Sequence, residues 1–193
     1  MSTASFWDRF YVENIDRACG IGVLANVESV GKYVTVEGMM TTLDGERLID
    51  PILTQEHDEC PIPGPWFMTL NSLGGGPCGL QEGVTDWRTA YGGGGKSIFS
   101  YGGANNIGLR VKVTGRVDKS GDGFFYIDGE SGFRDGRGRF KGVRVDWPFA
   151  EPAPRKHDFV EVVGVSSCTV RDGCVVRLLR PVSAESIRTL LPK

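Results

Sequence analysis

Arg110, Lys112, Arg116, Tyr126 and Arg144 occupy alternate positions in three apolar-patterned segments, so as strands they would project from one outward face. Arg134, Arg137, Arg139 and Lys141 crowd the neighbouring loop. Cations along a groove follow phosphates, and a ring among them stacks on bases, so these are the residue types a single-stranded nucleic-acid site needs. The competing reading is a soluble surface whose strand edges are guarded by charge. Asp118, Asp122, Asp128 and Asp135 dilute the positive field.

Other candidate chemistry is thinner. Asp118, Ser120 and Asp122 open a D-K-S-G-D-G string with calcium-loop spacing, but the closing position, which needs a bidentate carboxylate, is Gly129; a plain hairpin turn is the simpler expectation. Residues 92–97, GGGGKS, have a phosphate-loop look but carry Ala90 where the first glycine belongs, and two further glycines stop any following helix. His57 with Asp58, Glu59 and Cys60, and His157 with Asp158, lack a paired nucleophile or ligand set at a recognisable spacing. No enzyme, cofactor or metal centre is expected. The five cysteines have no zinc spacing; in an oxidising compartment Cys60 and Cys78 are the pair best placed to staple the middle of the chain, whereas Cys174 should face Arg171 across a tight Asp172-Gly173 turn and not reach Cys168.

The elements that carry these residues repeat. The later copy runs GLRVKVTGRV from Gly108, FFYIDG from Phe124, GVRV from Gly142 and HDFVEVVG from His157, then a hairpin at Asp172-Gly173 and a last strand from Val175 to Leu179. The earlier copy shows RFYVEN from Arg9, GIGV from Gly20, GKYVTVEG from Gly31 and a hairpin at Asp44-Gly45. Alternation places Leu109, Val111, Val113, Phe125, Ile127, Val143, Val145, Val160 and Val162 inward in the later copy, and Phe10, Val12, Ile21, Val23, Val34 and Val36 in the earlier. Phe124 and Tyr126 should point outward. Two sets of five short strands make two small barrels, but nothing before Phe6 matches GLRVKVTGRV, so the first barrel is expected to lack its own first strand.

An open barrel exposes strand edges that something must cover. Three fillings suggest themselves: KSIFSY (residues 96–101) from within, a strand of another copy, or a first strand encoded upstream of Met1. Residues 1–56 would then form the incomplete barrel, 57–104 a Gly/Pro-rich connecting segment, and 105–193 the second barrel. Ser183 is placed to cap a short helix over 184–191.

The spacing of GLRVKVTGRV, FFYIDGESGF, GVRV, FVEVVGVSS and VVRLLRPVS, with LGGG at 73–76 and NNIGL at 105–109, resembles the tandem OB-fold domains of bacterial, often secreted, multidomain proteins. That resemblance covers about residues 6–190. It implies an all-β chain of two tandem five-stranded Greek-key barrels, no catalytic signature, and an extracellular or cell-surface setting. In such proteins the first barrel has its own first strand, from which this chain departs.

Composition agrees with a folded chain, with 40% hydrophobic and 24% charged residues. No apolar run approaches the roughly 20 residues of a membrane helix, so membrane insertion is not expected. The first residues have no basic stretch followed by an apolar one, and so do not read as a secretory signal. The net charge of −2 conceals an asymmetry: residues 1–104 hold 6 Lys and Arg against 13 Asp and Glu, and residues 105–193 hold 16 against 11, giving −7 and +5. Scattered solvated charge would account for this. So would a basic half that meets an anionic partner, or unlike halves of neighbouring molecules that attract head to tail. The expected function is therefore non-catalytic: self-assembly by strand complementation into a filament or, alternatively, single-stranded nucleic-acid binding.

Overall fold

The computed structural model describes residues 1–26, 30–89, 96–100, 102–130, 132, 134–135 and 140–191. The chain is nearly all β. Its strands are β1 (Ser2–Ser5), β2 (Phe10–Glu13), β3 (Gly20–Val23), β4 (Lys32–Leu43), β5 (Glu46–Glu59), β6 (Trp66–Phe67), β7 (Thr85–Thr89), β8 (Lys96–Ser100), β9 (Arg110–Gly121), β10 (Phe124–Asp128), β11 (Arg134–Asp135), β12 (Phe140–Lys141), β13 (Val143–Asp146), β14 (Phe159–Arg171), β15 (Cys174–Arg180) and β16 (Ile187–Leu191).

The C-terminal unit closes on itself. Strand β9 pairs with β10, β10 with β13, β13 in parallel with β15, β15 with β14, and β14 back with β9, while β16 and β6 add to the outside of this circuit. Period-two alternation drives the closure: Val111, Val113 and Val117 of β9, Phe125 and Ile127 of β10, Val143 and Val145 of β13, and Val160 and Val162 of β14 are all buried in one cluster with Leu109, Leu179 and Trp147. Every inward position expected of this unit is inside. The Asp172-Gly173 turn has positive φ at both residues, the geometry that follows the twist of a two-residue hairpin, and it sets Arg171 opposite Cys174 as expected.

The N-terminal unit has the same strand sequence without closure. Its sheet runs β1-β2-β3-β5-β4, with β3 and β5 parallel. The position expected to lack a strand is occupied by β1, four residues long and antiparallel to β2. This corrects the vacancy read from the sequence: no copy of GLRVKVTGRV is needed to make four residues of β backbone. KSIFSY does not fill that place either. Its residues 96–100 form β8 and pair with β7 in a separate sheet ordered β12-β11-β7-β8, and Tyr101 lies outside the described residues. Residues 92–95 of GGGGKS also lie outside them, and its last two residues start β8 rather than a helix.

Because β1 is short and built of small residues, the first unit's core is graded rather than sealed. Phe10, Val23, Ile49 and Met40 form one cross-strand row from β2 to β4. Phe10 and Val23 are fully buried, Ile49 is half-buried and Met40 is 50% exposed. Val12, Ile21, Val34 and Val36 are likewise only half-buried, short of the burial expected for them.

Two further expectations change. The segment after Ser183 makes one 3-10 turn, Ala184–Ser186, with a Ser183–Ser186 capping box, and then continues as β16 along β14 instead of as a helix. An eight-residue helix with β-branched Ile187 and Thr189 competes poorly against a ready ladder on Phe159–Val162. Strand β5 also runs to Glu59, past the expected boundary at 56, and the connecting segment forms β6 to β8. All five cysteines are free: Cys60 is buried beside Gly31, whose carbonyl accepts its amide, and Cys78, the partner considered for it in an oxidising compartment, sits exposed in a turn bonded to Gln81.

Truncating Phe125 to Ala should cost about 3–5 kcal/mol, because it opens a cavity in a core with no slack. Urea unfolding checks this, and a loss under 1 kcal/mol would contradict the packing described.

Candidate functional site

The cations of the C-terminal unit come from the elements expected to carry them but do not form one open groove. The backbone N–H of Arg110 donates to Glu13 Oε1 (2.7 Å), and its guanidinium donates to the Pro63 carbonyl, so the connecting segment covers it. Lys112 is 3.3 Å from Glu161. Arg144 pairs with Asp146 and lies over the Phe124 ring at 4.5 Å. Arg116 is exposed, donates to the His157 carbonyl, and borders a cleft of about 370 Å³ that Asp128 and Glu130 also line. A phosphate entering there would meet more carboxylates than cations. Lys141 is exposed and Arg134 half-buried, while Arg137 and Arg139 lie outside the described residues.

Tyr126 corrects the outward reading. It is completely buried, with the Phe140 ring centroid 4.8 Å away and that of Phe124 at 5.8 Å. Phe140 of β12 lies over this face, so the ring is not presented to solvent. Asp118, Ser120 and Asp122 lie along a hairpin in which Gly121 pairs with Phe124 around Asp122-Gly123, and the Ser120 hydroxyl donates to the Pro154 carbonyl (2.6 Å). An extended ladder holds these oxygens along a strand instead of wrapping them around an ion. Among the described residues no group of three His, Cys, Asp or Glu side chains converges on a metal position. His57 accepts or donates one bond with the Thr35 hydroxyl (2.9 Å) on an exposed face.

What the residue-by-residue reading missed is the junction between the units. Glu46 starts β5, two residues before buried Leu48 and on the same face, and that parity was the available signal. Its carboxylate is 1% exposed and accepts from Arg9 Nη1 (3.2 Å), the Tyr11 hydroxyl (2.9 Å) and, from β14 of the other unit, the Ser167 hydroxyl (2.9 Å). Arg180 Nε donates to that same Ser167 oxygen (3.2 Å). Burial pushes the Glu46 carboxyl above the ordinary carboxylate range, against the pull of Arg180, Ser167, Tyr11 and Arg9, and burial likewise raises the Tyr11 phenol. Beside it, Glu13 and Arg17 hold each other at 3.0 Å and grip the Arg110 backbone, Glu13 taking its N–H and Arg17 donating to its carbonyl (2.8 Å). Gly20 and Gly108 touch back to back; a Cβ on either would lie under 2.5 Å from the other's backbone. These contacts form a structural joint.

The open feature is the far side of the first sheet. Apart from Ser2, which bonds Gly31 and Lys32, β4 is hydrogen-bonded among the described residues to β5 alone. Met39 is 67% exposed, Ile52 77% and Leu53 49% on this hairpin. The C-terminal unit carries a second edge, β16, where Leu191 is exposed and, among the described residues, β14 is the one strand partner.

The arrangement defines an all-β protein with barrel-like sheets, and among the described residues no helix is long and apolar enough to cross a membrane. No family model matches the chain, and no curated protein matches it.

Two measurements check the joint and the covered ring. The stability of Glu46→Gln relative to wild type should rise as pH climbs above the ordinary carboxylate range, since a carboxyl with a raised folded pKa stabilises the fold when protonated and loses that contribution as it ionises; a pH-independent difference would contradict this. Tyr126→Ala should lower the melting midpoint sharply, as a core truncation worth about 3–5 kcal/mol, where an exposed stacking ring would leave it unchanged.

Proposed function

We propose that the chain is a tandem OB-fold assembly module that polymerises head to tail by adding the C-terminal edge of one molecule to the β4 edge of the next. The strand circuit β9-β10-β13-β15-β14 with its parallel β13–β15 pair has the order of an OB barrel, and the N-terminal sheet follows the same order with a four-residue first strand. The observation that carries the proposal is β4: twelve residues long, strand-paired among the described residues with β5, met on its other side by Ser2 at Lys32, and with Met39, Ile52 and Leu53 exposed on its hairpin. Long apolar edges are what strand addition uses, and natural monomers blunt them. Strand β16 supplies a matching free edge on the half of opposite charge. Joining two different surfaces repeats without closing and gives a filament. The resemblance to secreted tandem domains is what supports an extracellular setting for such a filament.

Nucleic-acid binding is the weaker reading here, because the cations are largely matched with carboxylates or carbonyls and the stacking ring is covered.

Sedimentation velocity over a wide concentration range, with micrographs of the same samples, tests the assembly. Wild-type protein should form a concentration-dependent series ending in filaments, and Met39→Lys with Ile52→Lys should remain monomeric with unchanged thermal stability. A wild-type chain that stays monomeric at millimolar concentration would sink the proposal.

A further inference from the structure

Gln81, in the connecting segment, is buried and reaches both units. Its amide oxygen accepts the backbone N–H of Arg47 (2.8 Å), and its amide nitrogen donates to the carbonyls of Gly45 (3.0 Å) and Glu82 (2.9 Å). The Sγ of Cys168, on β14 of the second unit, lies 3.8 Å from that nitrogen. Both amide hydrogens are already taken by carbonyls at shorter range, so the sulfur rests against the amide group as a contact and not as the acceptor of one of its hydrogens. The carbonyl carbon is one bond from that nitrogen, which brings it within a small side-chain adjustment of the sulfur.

A thiol held against a primary amide has the parts of an acyl transfer: a nucleophile, an electrophilic carbon and, in the Arg47 N–H, a donor on the oxygen where negative charge develops. The Gly45 and Glu82 carbonyls keep the amide from turning away. Cys168 is fully buried in a cluster with Val84, Ile107 and Val175. Burial, and after it the charge of Glu46, pushes its thiol above the ordinary range, so it keeps its proton. Such a thiol is a poor nucleophile toward dissolved reagents. Against a fixed neighbour the balance differs, since well-oriented intramolecular reactions reach effective concentrations of about 10⁵ M or more.

We propose that Cys168 and Gln81 mature into an internal thioester. Sγ attacks the side-chain carbonyl carbon of Gln81, the sulfur–carbon bond forms, the carbon–nitrogen bond breaks, and the thiol proton leaves on the amide nitrogen as ammonia. Nothing is oxidised or reduced, and no co-reactant is consumed. Ammonia departs through the cleft of about 260 Å³ that Gln81 lines with Arg47 and Leu80, and its dilution draws the exchange forward. The apolar cluster around Cys168 keeps water from the product. The bond ties the connecting segment to β14 across 87 positions of sequence and is independent of the assembly proposed above.

The full wild-type chain, treated with a phosphine to open any disulfide, would be weighed by mass spectrometry in acid. It should be lighter than its sequence by one ammonia. In denaturant, maleimide should find one thiol fewer than the five of the sequence. Hydroxylamine should restore the missing thiol and leave a hydroxamate on residue 81, a readout that needs no variant to fold. Cys168→Ala and Gln81→Glu should each show the full mass of their sequences, while Cys78→Ser, at an exposed position, should keep the loss. Wild-type protein of full mass with all five thiols reactive would overturn the bond. So would an ammonia loss that survives Cys168→Ala, as succinimide formation at an asparagine would, or hydroxylamine incorporation anywhere but residue 81.

Discussion

A buried carboxylate has to be answered by donors, and the way Glu46 is answered fixes how the two halves of this chain sit together. Leaving such a charge unmatched in a dry interior costs several kcal/mol, more than a small unit can spare. Two of its donors, Arg9 and Tyr11, come from the first unit, but Ser167 comes from the second and is itself positioned by Arg180. The network is therefore complete only when the units are docked. The apolar contact of Ala4 and Tyr11 with Val165 sits directly beside it, so one small seam combines burial with directional bonds.

That docking explains the uneven first unit. Its outer face, carrying Tyr11, Glu46 and Leu48, is buried by the second unit, while its inner row fades from sealed at Phe10 to half-open at Met40. An ordinary barrel buries the inside and wets the outside. Here the outer face toward the joint is as dry as the inner one at β2, and exposure is displaced to the β4–β5 hairpin. Gly38 marks the irregularity in that hairpin: the pairing register slips beside it, and a Cβ there would lie 2.2 Å from the Asp50 carbonyl.

The second unit was legible in the sequence because its strands face a single core, and one-sided burial writes itself as alternation. Val111, Phe125, Ile127, Val145 and Val162 follow that rule. Tyr126 breaks it, because Phe140 of β12, distant in sequence, covers its face, and no local pattern announces such a cover. Glu46 was passed over for a related reason: a charged residue on the outer face reads as a solvated one, despite sharing its parity with Leu48, until its partners, up to 121 residues away, are in place. The C-terminal segment was misread since its three apolar residues suit either a helical face or a strand edge, and only the free flank of β14 decides between them.

The grip of Glu13 and Arg17 on position 110 has a consequence for how this joint tolerates change. The two side chains bind the peptide group of Arg110, its N–H and its C=O, and not the guanidinium, which separately reaches Pro63. Recognition of a peptide group is indifferent to the residue that bears it, proline excepted. Position 110 is thus open to substitution by almost any side chain, while positions 13 and 17 are not, so variation accumulating between such molecules would fall on one side of the contact only.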